Sequence, residues 1–339
     1  MDYEQSMTEQ AASAMQRPGV WDRFPSIQAH LKRYRSRLSI DEDLARVQRY
    51  GRAGPFELTV QYADQSHSAV YGALYASNSL SFLAAHDQRQ STHAALGGQP
   101  GWHADWRRSV AYAYWATLVD CAIQARMLDD YRAGRRQDYP RMISLMETGS
   151  RLGDMLALGW LDWAAGLARG ARHWVEHNGF MDGDDDYGRR RTQHFVLRLV
   201  ASWQGWPELP GPQCAFDEPL FNALIAHWRT TDLALIEQLL LAACDRHTHQ
   251  AREDHTSRPI FFDLGTTGWA YDPFEVLAVM RLREQAGLAN PMLDHPLMNT
   301  PLGQLPEVTP PYDDALLASV VPRMQTELSD YWDASGVRG

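Results

Sequence analysis

Apolar side chains recur about every three to four positions along most of the chain, which is the spacing of one face of an α-helix. Residues 102–134 show this pattern clearly and end at Gly134, a residue typical of helix ends. Residues 139–179 begin near Pro140, which a first helical turn tolerates, and they are apolar on more than one side. We therefore predict two long helices, the second of them central and enclosed.

The segment between the glycine-rich stop at residues 51–54 and the break at residues 97–101 has no alternating apolar and polar run that we interpret as a strand. It also lacks an Asn-Gly or Asp-Gly turn, so no β-hairpin is predicted. We assign it to helical packing instead. The side chains expected on its core side are Val60, Ala63, Val70, Leu74 and Phe82.

Helical spacing continues in the last third of the chain, over residues 220–230, 232–255, 272–287 and 312–332. In the last of these, Pro322 predicts a kink or a break. Short Gly/Pro turns between successive helices favour antiparallel neighbours. The sequence therefore predicts an all-α protein, an antiparallel helical bundle or helical-hairpin array with irregular Pro-rich connectors.

The strongest linker candidate is residues 207–219, with four prolines in thirteen positions. It separates a predicted N-terminal helical region, residues 21–206, from a C-terminal one, residues 220–339. Residues 1–20 are expected to be a flexible tail. The two helical regions can equally form one continuous domain.

The net charge of −10 disfavours a nucleic-acid ligand, since binders of phosphate backbones carry basic patches. An acidic surface instead attracts basic partners. Three widely spaced cysteines, Cys121, Cys214 and Cys244, are typical of free thiols in a reducing compartment. The N-terminus has no apolar core of a signal peptide, and no stretch is apolar enough for a membrane span. We expect a cytoplasmic protein with no membrane contact.

Residues 244–255, CDRHTHQAREDH, are the most concentrated set of metal-ligand types. On one continuous helix each residue turns by about 100°, so His247 and His249 would point about 200° apart and could not share a metal. A break after His247 would let a loop bring that pair together with His255. We favour a solvated helix face with no metal or other cofactor, and keep a metal-dependent enzyme built on the three histidines as the alternative.

Two acidic groups are candidates for contact with a basic partner. The stronger is the loop at residues 182–188, DGDDDYG, with Asp182, Asp184, Asp185 and Asp186. Its spacing does not fit a calcium loop. The weaker is Asp129 and Asp130, where arginines follow closely and surface ion pairing is expected.

No known nucleophile motif or phosphate-binding loop occurs in the chain, so catalytic residues are not assigned. The aromatic segments YAYW (112–115) and GWLDWAAG (159–166) are interpreted as core. A groove for an apolar small molecule between them is a further alternative.

Residues 269–288, WAYDPFEVLAVMRLREQAGL, are followed by LDHPLMNTPLGQLP at residues 293–306. This combination of helix, glycine stop and DHPL loop resembles the C-terminal part of all-α immunity proteins of bacterial polymorphic toxin and type VI secretion systems. It is most similar to the immunity-49 type and more distantly to the PoNi type. The resemblance covers about residues 240–306.

The resemblance implies a non-catalytic cytoplasmic protein that binds a cognate toxin and covers or inactivates its active site. An acidic protein of this kind would suit a toxin with a basic surface, such as a nuclease. The resulting hypothesis is an immunity protein whose partner is a toxin, with no nucleic acid, membrane or cofactor involved.

Overall fold

The computed structural model describes residues 17–33, 39–62, 65–181, 189–208, 211–251, 262–264 and 267–332. Most of these residues are helical, which confirms the prediction of an all-α fold. The helices are α1 (Ile27–Arg33), α2 (Asp41–Ala53), α3 (Ala73–Leu96), α4 (Trp102–Arg132), α5 (Leu145–Ala157), α6 (Leu161–Glu176), α7 (Arg191–Gln204), α8 (Pro219–His227), α9 (Leu233–Gln250), α10 (Phe274–Gln285), α11 (Ala315–Glu327) and α12 (Ser329–Trp332).

The long helices α3 and α4 form an antiparallel pair around the glycine-rich turn at residues 97–101. Two hydrogen bonds show the antiparallel register. The hydroxyl of Ser109 donates to the carbonyl of Ala84 over 2.7 Å. The hydroxyl of Ser77 donates to the carboxylate of Asp120 over 2.5 Å, with the carbonyl of Ala116 3.2 Å away. Both serines are buried, so each hydroxyl satisfies its hydrogen bond within the pair.

Residues 139–179 form two helices, so the prediction of one long helix is wrong. The first, α5, begins after Ser144, whose side chain accepts a hydrogen bond from the backbone N–H of Glu147 as an N-cap. The chain then breaks at Gly159, which has a φ of 76°, before α6 starts. An L side chain rarely adopts that conformation, and the glycine is the sequence feature that marked the break.

Helix α5 lies at the centre of the second half of the fold, against α7 and α10. Glycines make this close approach possible. A methyl group built on Gly153 would lie 2.5 Å from the ring of Phe274, and one on Gly149 would lie 2.5 Å from the side chain of Gln193. The packing of α5 therefore depends on the absence of side chains at these two positions.

An antiparallel β-hairpin connects α2 to α3, and the absence of β structure expected here is therefore wrong. Strand β1 (Phe56–Tyr62) pairs with β2 (Gln65–Tyr71), with Phe56 opposite Tyr71. Two side chains assigned to the core are also exposed, Val70 at 61% and Phe82 at 58%. The sequence FELTVQY does alternate strictly, and this pattern was the overlooked indication of a strand.

Helix α11, near the C-terminal end of the described residues, packs against α2. The guanidinium of Arg323 donates to the backbone carbonyls of Gly51 and Arg52, over 2.5 and 2.8 Å. Pro322 lies inside α11, and the helix continues past it to Glu327, so of the predicted kink or break the break does not occur.

The buried apolar side chains from both sides of residues 207–219 belong to one core. Its largest fully buried members include Trp160, Trp174 and Trp228. All three cysteines are free thiols and buried. Within the described ranges, no helix has both the length and the apolar character needed to cross a membrane.

Candidate binding groove

Of the acidic residues proposed from the sequence, Asp129 and Asp130 lie at the C-terminal end of α4 and form surface ion pairs. Asp129 lies 3.7 Å from the guanidinium of Arg132, and Asp130 lies 2.7 Å from that of Arg135. These arginines offset much of the acidic charge. Asp182, Asp184, Asp185 and Asp186 lie outside the described residues, and their role as a toxin contact stays a prediction.

Two of the histidines proposed as an alternative metal site, His247 and His249, do not face a common point. His247 is fully buried, with Nδ1 2.7 Å from Oε1 of Glu275 and Nε2 2.8 Å from the carbonyl oxygen of Trp269. His249 points to the N-terminal segment, with Nε2 3.1 Å from the carbonyl oxygen of Gly19. The assignment of residues 244–250 to a solvated face is therefore wrong for His247 and its neighbours.

Both partners of the His247 ring are oxygen atoms, so neither nitrogen is open to a metal ion in this arrangement. His255 lies outside the described residues. Elsewhere in the part of the chain that the structure describes, no three His, Cys, Asp or Glu side chains come close enough together to hold a metal ion.

A separate enclosed polar network joins α3, α5 and the start of α10. Arg151 of α5 donates to the side-chain oxygen of Gln88 over 2.7 Å and lies 3.3 Å from the carboxylate of Asp154. Asp154 in turn shares a hydrogen bond with Asp272, just before α10. All of these side chains are buried, so we assign the network to holding the helices together rather than to contact with a ligand.

A further buried carboxylate, that of Asp245 in α9, binds the N-terminal segment of the described chain. Arg17 reaches it through two nitrogens, over 2.8 and 3.2 Å. His295 lies 3.2 Å away through Nε2, while its Nδ1 accepts the backbone N–H of Leu297, so Nε2 carries the proton. Burial alone would raise the pKa of Asp245, but the hydrogen bonds from His295 and Arg17 lower it to about 2.

An open cavity with the chemistry of a binding site lies between α2, the hairpin and α3. We call it the α2–hairpin groove. Its volume is about 510 Å³, within the usual range for ligand sites. Its lining combines carboxylates with aromatic rings and includes Glu42, Asp43, Arg46, Leu58, Tyr71, Tyr75, Ser79 and Phe82.

A chain of hydrogen bonds fixes the inner wall of the groove. The hydroxyl of Tyr71 donates to Oγ of Ser79 over 2.8 Å, and Oγ of Ser79 donates to Oδ1 of Asp43 over 3.0 Å. Burial raises the pKa of Tyr71 to about 12, so its hydroxyl keeps the proton it donates. The Tyr71 ring is held between Phe56 and Tyr75, with ring centroids 4.9 and 5.9 Å away.

The outer wall is more exposed and carries the groups that a partner would meet first. Glu42 is 75% exposed and contacts Arg46 one helical turn away. Across the groove, Phe82 exposes its ring on α3. With Asp41, Glu42 and Asp43 in the first turn of α2, carboxylates outnumber the single arginine of the lining. This combination suits a guanidinium or ammonium group, which binds both carboxylates and ring faces.

None of these groove residues was assigned a function from the sequence. The acidic first turn of α2 was visible as "DED" at residues 41–43, but the aromatic wall comes from residues 30 to 40 positions later. The hairpin, which sequence reasoning missed, and the direct packing of α2 against α3 bring the two together.

Comparison of the chain with protein-family models, with curated proteins and with solved structures found no match in any of the three.

Proposed function

We propose that this protein is an immunity protein that binds a secreted bacterial toxin with a basic surface and holds the toxin inactive. The α2–hairpin groove receives an arginine or lysine side chain of that toxin. The observation that carries the proposal is the groove itself, in which Glu42 and Asp43 lie beside the rings of Tyr75 and Phe82.

Two further observations support the class of partner. The net charge of −10 speeds the encounter with a basic protein and opposes binding to nucleic acid. The resemblance of residues 269–306 to immunity proteins supports the same class. Those residues supply Phe274, Leu297 and other fully buried side chains, so they account for the core rather than for the contact surface.

Binding energy in protein complexes is concentrated near the centre of the interface. Aromatic rings and paired charges in a pocket contribute most of the binding energy in protein complexes, while surrounding contacts mainly exclude water. A toxin side chain in the groove would place its cation near Glu42 and Asp43 and its methylene groups against Phe82. Covering the exposed Phe82 ring would add to the stabilisation.

The test is co-expression with the toxin domains encoded beside the gene, read out as rescue of growth, followed by calorimetry of the purified pair. The double variant Glu42→Lys, Phe82→Ala changes two exposed side chains and should leave the fold intact. We expect about 30-fold weaker binding and loss of protection.

The matched control is Glu307→Lys, Val308→Ala, which reverses one exposed acid and removes one exposed apolar side chain outside the groove. It should bind and protect like the unmodified protein. Equal binding by the groove variant would remove the groove from the interface. Absence of protection and of binding for every neighbouring toxin would overturn the immunity function.

A further inference from the structure

A second pocket, independent of the proposed function, lies where α4 and α6 meet the start of α11. Its volume is about 280 Å³, just below the usual range for ligand sites. We call it the tryptophan pocket. It is lined chiefly by Trp115, Trp163, Pro311, Tyr312, Asp313 and Val321.

The three rings of the pocket are held in place by their neighbours. Trp163 stacks on Tyr114 with centroids 4.0 Å apart, and Trp115 stands nearly perpendicular to Trp163, with centroids 5.7 Å apart and planes at 76°. The hydroxyl of Tyr312 donates to Oδ2 of Asp314 over 3.2 Å. The rings therefore need little reordering when a ligand enters.

The charge that lines the pocket is negative. Its charged lining residue is Asp313, and Asp314 follows directly in the chain. The guanidinium of Arg108, which interacts with Tyr312, is bound by Asp87 and Asp105 over 2.6 to 2.9 Å. A positively charged ligand is thus favoured over a neutral or negative one.

We propose that the tryptophan pocket binds a small N-alkylated ammonium cation, of about the size of choline. Aromatic rings attract such a cation through their negative faces, and alkyl groups on the nitrogen gain from contact with the rings and the prolines. The carboxylate of Asp313 supplies the opposite charge at the pocket edge. A cation of this size fits within the cavity of about 280 Å³.

The experiment uses the full chain and compares charged probes with a neutral one of the same shape. Tetramethylammonium, choline and 3,3-dimethylbutan-1-ol, in which carbon replaces the choline nitrogen, are titrated while tryptophan fluorescence and heat are recorded. We expect saturable binding of both cations and about tenfold weaker binding of the neutral alcohol. Equal binding of choline and the alcohol would overturn the proposal, as would no saturable binding of any cation.

Phosphocholine distinguishes a free quaternary ammonium alcohol from a phosphate-bearing head group. The carboxylates of Asp313 and Asp314 should repel the phosphate, so we expect choline to bind more tightly. Tighter binding of phosphocholine would still support a cation site and would identify the head group as the source.

Two variants locate the site. Trp115→Leu should weaken choline binding about tenfold, because it keeps an apolar side chain but removes one ring. Asp313→Asn keeps the oxygen that accepts the backbone N–H of Asp314 and should weaken binding about threefold, less so at high salt. Trp203→Leu, outside the pocket, is the control. Unchanged choline affinity in both pocket variants would contradict the assignment.

Discussion

The carboxyl group of Asp272 donates a hydrogen bond to the carboxylate of Asp154, where the start of α10 meets α5. Both side chains are almost completely buried. Burial raises the pKa of Asp154 to about 6, partly offset by Arg151, and raises the pKa of Asp272 well above its usual value. Two carboxyl groups so placed cannot both ionise without a large cost, so Asp272 holds the proton that joins them.

This pair predicts how stability depends on pH. An unfolded aspartate loses its proton near pH 4, whereas the folded pair keeps protons to pH 6 and above. The folded state therefore binds more protons over that window, and stability from this pair falls as pH rises. Thermal unfolding followed by circular dichroism should show a higher melting temperature at pH 5 than at pH 8.

The variant Asp272→Asn should reduce that dependence, because an amide can donate to Asp154 at every pH. The slope of unfolding free energy against pH should become shallower by up to about 1.4 kcal/mol per pH unit. Asp138→Asn, an exposed acid, is the control and should leave the slope unchanged. An unaltered slope in Asp272→Asn would mean that the buried proton is not on this pair.

Arg17→Ala removes a guanidinium from the buried carboxylate of Asp245 and should make the protein sensitive to mild acid. The pKa of Asp245 is lowered to about 2, so its contribution to stability is present above pH 4 and lost as pH falls towards 2. Without Arg17 this loss should begin at higher pH. Acid titration of helix content measures the midpoint, and Arg23→Ala in the same segment is the control. Identical midpoints would show that the Arg17 contact is not formed in solution.

Gly153→Ala should destabilise the fold by about 1 to 3 kcal/mol, because the added methyl group overlaps the ring of Phe274. Urea unfolding would measure the loss. The control is Gly211→Ala, where the nearest atom to the added methyl group is the Cβ of Ala215 at 3.3 Å. A Gly153→Ala variant as stable as the control would show that α5 and α10 can separate at little cost.

Reversing the charge of Asp182, Asp184, Asp185 and Asp186 together tests the acidic loop as a toxin contact. If the loop contacts a basic toxin, binding should weaken and become less sensitive to salt. Calorimetry at two salt concentrations gives both quantities. Unchanged affinity would exclude the loop from the interface and leave the groove as the surface to examine.

Local patterns predicted the helices that have clear ends. Helix α4 stops before Gly134 and α10 before Gly287, and both glycines adopt a positive φ. The hairpin was missed because its alternation lasts only seven residues and its turn has no typical dipeptide. The break at Gly159 was overlooked because apolar residues continue on both sides of it.

The sites were harder to predict because their residues are far apart in the chain. The segments around Trp115 and Trp163 were both recognised as aromatic, but the pocket also needs Tyr312 and Asp313, which only tertiary packing adds. The face of residues 244–250 was misassigned for a similar reason. The sequence alone does not show whether a polar side chain such as His247 has a buried hydrogen-bond partner, as His247 has in Glu275.

The three buried cysteines should react slowly with thiol reagents in the native protein, so their modification can time the opening of the molecule. Cys121 lies in α4, Cys214 in the connector before α8 and Cys244 in α9. Burial raises the pKa of each thiol, which further slows its reaction in the folded state. The order in which mass spectrometry finds the three cysteines labelled would show which part of the fold unfolds first, and no engineered cysteine is needed.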